Sequence, residues 1–234
     1  MAFLIDVNFI GEQELRLKDE LASEGFSLVG FKGAANGASM VGVPAWFSIP
    51  VRDLLDRNRI AVDLEFGVFV FNERDIDRNT VLTPQSRMGA NLSDRNSFIL
   101  SAFGQLMPDG NPGIEGTITV RSERQLGDDP VLVGIGAELD GEILPFCVYV
   151  LRPQSTVNME PLEDVLLFFA QGPTRQGSVV GTVTTPGAKF MLNQITQTFD
   201  LRVIDNTFGL TNRAGSNPVT PVSAGANIVQ ILNA

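Results

Sequence analysis

Gly67-Val68-Phe69-Val70-Phe71 decides the fold class. The run is too short for a typical helix, it is rich in β-branched and aromatic residues, and it has no polar position to mark a wet face. It therefore reads as a strand buried on both sides. Upstream, Ile60-Ala61-Val62-Asp63-Leu64 alternates, and Phe26–Phe31 is again apolar and aromatic. Further strands are predicted over 2–8, 79–85 and 97–103. Downstream, Thr117-Ile118-Thr119-Val120-Arg121 alternates cleanly, and strands follow over 131–139, 145–151, 155–160, 163–170, 178–184, 188–193 and 197–204. In the last of these, Phe199, Leu201 and Val203 alternate with Asp200 and Arg202, as in a strand with one face in water. Thr185-Pro186-Gly187-Ala188 fits a type II turn, with glycine at the positive-φ position.

Many short strands separated by turn residues predict a mainly β protein, an antiparallel β-sandwich or barrel-like fold. No repeated alternation of strands with long amphipathic helices argues for a parallel α/β sheet. The exception to the β pattern is residues 11–24. Glu12/Arg16 and Glu14/Lys18 are favourable i,i+4 pairs and Gly25 can close a helix, whereas Glu14-Leu15-Arg16-Leu17-Lys18 alternates as a strand does. The segment is read as a short helix. Residues 1–234 read as one β-rich domain. The densest turn cluster, Met107 to Gly113, marks an internal boundary near 107–114 if 1–106 and 115–234 are two packed halves. The tail ends in the apolar patch Ile228-Val229-Gln230-Ile231-Leu232, expected to dock back onto the body.

Composition excludes several classes. A formal net charge of −10 repels phosphate backbones, so no nucleic-acid partner is expected. The start of the chain has no basic region of the signal-peptide kind, and no apolar run approaches the roughly 18 residues of a membrane-spanning helix. The chain as given is expected to be cytoplasmic or to have lost a targeting segment, and the cytoplasm is favoured. The chain has no histidine, which removes the commonest general base and transition-metal ligand. Cys147 is the single cysteine, inside the apolar run 145–150. It reads as a buried thiol, and without histidine it has no usual catalytic partner.

Few constellations remain. Glu73, Asp75, Asp77 and Asn79 stand at alternate positions, as oxygen ligands of Ca²⁺ can, but the EF-hand pattern is absent and a solvated turn is preferred. Gly134-Ile135-Gly136 lacks the spacing of a dinucleotide fingerprint and reads as strand glycines at a bulge or a close contact. Trp46 and Phe47, flanked by prolines, form a candidate surface contact, although a role in the core is preferred because large aromatics supply most of a core's buried area. Gly177 to Thr185 is small and hydroxylated, like hairpins that insert into membranes, although an ordinary hairpin is the simpler reading. The segments around Gly30-Phe31-Lys32-Gly33-Ala34 and Leu144-Pro145-Phe146-Cys147 loosely resemble small β-rich microbial proteins that carry no assigned activity, and that likeness transfers no functional residue.

The expectation is a non-catalytic structural or binding protein that works through self-assembly or a protein partner, with no catalytic residue, no cofactor and no metal. The alternatives are a membrane-active toxin, motivated by Trp46-Phe47, the Thr-rich hairpin and residues 11–24, and a hydrolase using two of the 27 acidic residues.

Overall fold

A computed structural model describes residues 3–35, 40–77, 80–172, 174–193, 197–204 and 206–233. Strand β1 (Phe3–Asn8) leads into helix α1 (Glu12–Ser23). Then come β2 (Phe26–Ala34), β3 (Met40–Gly42) and β4 (Phe47–Pro50), and a single 3-10 turn at Val51–Asp53. The long β5 (Arg57–Phe71) is followed by β6 (Pro84–Ala90), β7 (Ser97–Leu100) and β8 (Leu106–Pro108). Past the turn cluster lie β9 (Ile118–Ser122), β10 (Val131–Leu139), β11 (Glu142–Pro145), β12 (Val148–Leu151) and β13 (Thr156–Met159). The chain ends with β14 (Pro161–Gln171), β15 (Gly187–Met191), β16 (Thr198–Ile204), β17 (Gly209–Asn212), β18 (Thr220–Val222) and the short helix α2 (Ile228–Leu232).

These strands form three sheets. The largest runs β17-β16-β1-β5-β10-β12-β3, with β6 beside β5 and β11 beside β10. A second runs β18-β15-β14-β2-β4, and a third β13-β9-β7-β8. The fold is mainly β and sandwich-like, with no closed barrel. Pairing is antiparallel except for β1 with β16 and β7 with β9, which run parallel. Strands from before and after the 107–114 cluster share every sheet. The cluster begins inside β8, and Asp109 donates its N–H to the Ser97 carbonyl at 2.9 Å, tying the turn to β7.

Three apolar runs are buried on both faces because each separates two hydrophobic clusters. In β5, Val68 and Val70 enter the main core, to which all three sheets contribute, while Phe69 and Phe71 enter a smaller cluster with Leu82, Leu132 and Val148. In β14, Val165, Leu167 and Phe169 face the main core, and Leu166, Phe168 and Ala170 face a cluster roofed by the C-terminal segment. β2 divides in the same way, with Leu28 on one side and Val29 and Phe31 on the other. A strand so placed has no wet face, which is why its sequence does not alternate.

The glycines of β10 make room for this packing. A Cβ on Gly134 would stand 2.1 Å from the Cys147 carbonyl oxygen, and one on Gly136 would stand 2.5 Å from that of Leu144 and 2.6 Å from the Phe69 ring. They are close-contact glycines, beside a register shift in the β10–β5 pairing at Ala137/Glu138. Gly187 serves the same purpose. It has no positive φ, and its Cβ would lie 2.7 Å from the Leu167 carbonyl oxygen, so close packing of β15 on β14 replaces the expected type II turn.

Residues 11–24 are helical. Leu17 and Leu21, one turn apart, are buried, and Glu12 and Glu14 stand in the first turn where the helix dipole favours anions. Gly11 has no side chain to cap the helix; instead the Glu14 carboxylate accepts the Ile10 N–H at 2.8 Å. The expected Glu14/Lys18 pairing gives way to tertiary partners: Glu14 pairs with Arg213 at 2.8 Å and Lys18 with Asp56 at 2.8 Å. Burial raises the Glu14 carboxyl, but Arg213 and the Ile10 N–H outweigh it and hold the group below its ordinary range.

The tail docks as α2. Ile228 and Leu232 are buried, the Asn233 side chain accepts the Ala34 N–H at 3.1 Å, and Lys189 Nζ donates to the Ile231 carbonyl at 2.7 Å. The predicted strand over 178–184 is instead a crossing segment. Ser178 bridges Val81, Val179 bridges Pro44, and Thr182 bridges Asn227, so it touches three distant segments rather than running along one.

Candidate interaction surface

Trp46 and Phe47 are not a surface contact. They are 0% and 3% exposed, Trp46 Nε1 donates to the Ala137 carbonyl at 3.1 Å, and the Phe47 ring occupies the space over Gly30 that a side chain would fill. A buried indole with its N–H satisfied is a core residue. The Gly177–Thr185 segment forms no hairpin. Two of the three motives for membrane activity therefore fall away. Among the described residues, no helix is long and apolar enough to cross a membrane.

The alternating acids do not converge. The Glu73 carboxylate accepts the Thr83 N–H at 2.9 and 3.0 Å, and Asp77 donates its backbone N–H to Thr80 Oγ1 at 2.9 Å. Arg74 binds Asp129 across the chain at 2.7 Å, and Asn79 lies outside the described residues. Among the described residues, no group of three or more acidic or cysteine side chains is arranged to hold a metal.

Cys147 is fully buried, and burial pushes its thiol up to about 12. A thiol so held carries no thiolate near neutral pH. Nearby, the buried Lys32 donates to the Leu162 carbonyl at 2.6 Å and sits over the Phe146 ring at 5.6 Å. Loss of hydration brings its ammonium down to about 8, against the opposing pull of Glu163 and Asp164.

One acidic pair does come together. The β5–β10 register sets Phe66 opposite Ala137 but Asp63 opposite Glu138, so β5 carries two extra residues, 64 and 65, at a bulge. The bulge places the Glu65 charge near Glu138. Partial desolvation, then the Glu65 and Asp63 charges, hold the Glu138 carboxyl above its ordinary range.

The most conspicuous surface feature is one that sequence reading missed. Of the 16 phenylalanines, 14 are buried and Phe208 is half-buried, but Phe103 is 93% exposed. The apolar pattern extends the strand over 97–103 to include it, but β7 stops at Leu100. Residues 101–105 instead form a tight turn to β8. Ser101 N–H donates to the Gln105 carbonyl at 2.9 Å, Gly104 N–H to the Ser101 carbonyl at 2.9 Å, and Gln105 N–H to Ser101 Oγ at 3.1 Å. Gly104, with φ 78°, makes the turn possible. The Phe-Gly pair at 103–104 was the available signal.

Because β7 and β9 run parallel, with Leu100 opposite Ser122, the loop after β9 emerges at the same end of the small sheet. That loop exposes Leu126 at 77% and is closed by Gln125 N–H to Asp128 Oδ2 at 3.0 Å. Phe103 borders a cleft of about 370 Å³. Phe71, Glu73, Arg74, Arg124, Asp129 and Val131 are among the residues that line it. Arg124 Nε is withdrawn from solvent and lies 3.6 Å from Asp128 Oδ2, beyond hydrogen-bond distance. Compared with known protein families, curated proteins and solved structures, this chain matches none.

Proposed function

We propose that this chain is a non-catalytic, β-rich binding or structural protein that acts through its surface, by associating with a second copy or with a protein partner. The observation that carries the reading is Phe103, held in a hydrogen-bonded turn and 93% exposed beside a cleft. Burying one phenyl side chain contributes about 1.5–3 kcal/mol, and a pre-ordered turn loses little conformational entropy when it docks. Aromatic and arginine side chains are the residue types that anchor protein interfaces, and both occur here. The chain's lack of histidine and the inert thiol of Cys147 support a binding role over a catalytic one.

Sedimentation velocity and native mass spectrometry across a concentration series, with affinity capture, test the reading. Concentration-dependent association, or a reproducible stoichiometric partner, is the expected result. A strict monomer at high concentration that recovers no partner sinks it.

A further inference from the structure

We infer that the Phe103 turn and its neighbouring cleft form a two-fold interface between copies of this chain, with Phe103 of each copy seated in the cleft of the other. The inference rests on the surface-acting reading above and names its partner. A two-fold contact needs one patch that is complementary to itself, so that what one copy presents the other receives. Here the projecting ring and the concavity are adjacent on one patch, since Phe103 borders the cleft.

Charge favours the same occupant. The chain carries a net −10, so two copies repel over most approaches. Among the residues that line this cleft the charges balance: Glu73 and Asp129 against Arg74 and Arg124, with Asp128 beside Arg124 just outside the lining. Two copies can meet there without like-charge opposition, and a two-fold arrangement can set an acid of one rim near a base of the other. A strongly basic partner would be drawn instead to an acidic surface such as that of Asp63, Glu65 and Glu138. The guanidiniums also suit the incoming ring, because a cation against an aromatic face is attracted by the ring quadrupole. The loop carrying Leu126 leaves the same end of the sheet and can extend the contact.

The patch is small, so the dimer is weak and fills at high protein concentration. Sedimentation velocity on the full chain is compared with Phe103→Ser and with Leu55→Ser, an exposed apolar residue (71%) outside the cleft. Wild type and Leu55→Ser are expected to dimerise alike. Phe103→Ser is expected to raise the dissociation constant about thirtyfold or more, the scale of an interface anchor. Matching thermal melts for all three establish that the effect is not unfolding. Wild type that associates with unchanged affinity after Phe103→Ser overturns this interface but leaves the surface-acting reading in place. A wild type that stays monomeric overturns the interface, and if capture also recovers no partner the broader reading fails with it. Phe103-dependent sedimentation with phosphatidylcholine vesicles, without self-association, assigns the turn to a lipid surface and overturns the proposal too.

Discussion

Trp46-Phe47 and Phe103 are aromatic segments set among turn-forming residues, and the fold sends them in opposite directions. Trp46 and Phe47 follow Pro44 and precede Pro50, yet both lie in the main core. Phe103 stands between Ala102 and Gly104 at the tip of the smallest sheet, almost fully in water. The difference comes from what distant parts of the chain bring to each. Ala137 supplies the indole's hydrogen-bond acceptor, Phe146 packs edge-on at 6.5 Å, and Gly30 leaves room for the Phe47 ring. Among the described residues, none covers the Phe103 ring. Proline or glycine flanks mark where a chain turns, and burial depends on whether another segment arrives.

The largest expected effect falls on the buried side of this comparison. Trp46→Ala should lower unfolding stability by about 3–5 kcal/mol, read from chemical denaturation, because it opens a cavity and strands the Ala137 carbonyl. A loss below about 1 kcal/mol, within reach of a surface substitution, would contradict the burial described for Trp46.

Lys32 comes next, as a charge on that same dry side. Its folded pKa, about 8, lies below the ordinary 10.5, so the unfolded chain holds the proton more tightly and stability rises with pH between those values. The full swing is roughly 3 kcal/mol as an upper figure. Urea midpoints of wild type and Lys32→Met, measured at pH 7 and pH 10, should shift relative to each other in favour of wild type at the higher pH. A gap independent of pH counts against the buried charge.

Gly30→Ala tests the contact that admits Phe47. Its new Cβ would overlap the ring, and the expected cost is about 1–3 kcal/mol. In a Phe47→Ala background the cost should shrink, since the two changes share one space; strict additivity in that cycle would be the unwelcome result. The smallest effect belongs to the exposed side. Phe103→Ser should change stability by no more than about 0.5 kcal/mol, as expected where nothing packs against the ring. A larger loss in a thermal melt would show that the turn is part of the core.

Much of the architecture was legible because strand periodicity is a local property. The two-sided burial of Gly67–Phe71, the strand at 163–170, the wet face of Asp200 and Arg202, the docking tail and the helix at 12–23 all follow from the order of apolar and polar residues. The errors arose where local pattern and long-range packing diverge. Gly187 resembled a turn glycine, but its lack of a side chain is used for contact with Leu167. Residues 178–184 have strand-like composition, yet they cross three partners and join no sheet. The strand assigned to 97–103 overran because Ala102 and Phe103 are apolar, and apolarity alone does not distinguish a strand end from an exposed turn.

By itself, the sequence determined the β class, the one helix near the start, an acidic chain without imidazole chemistry, and a cysteine without a partner. Each depends on composition or on residues within a few positions of one another. Only the tertiary structure decided the parallel pairing of β1 with β16, the meeting of Glu65 and Glu138 at a bulge, the burial of Lys32 and Trp46, and the exposure of Phe103. Each of these depends on which distant segments pack together or leave a side chain uncovered, and hydrophobic burial has no direction along the chain by which a single segment could announce it.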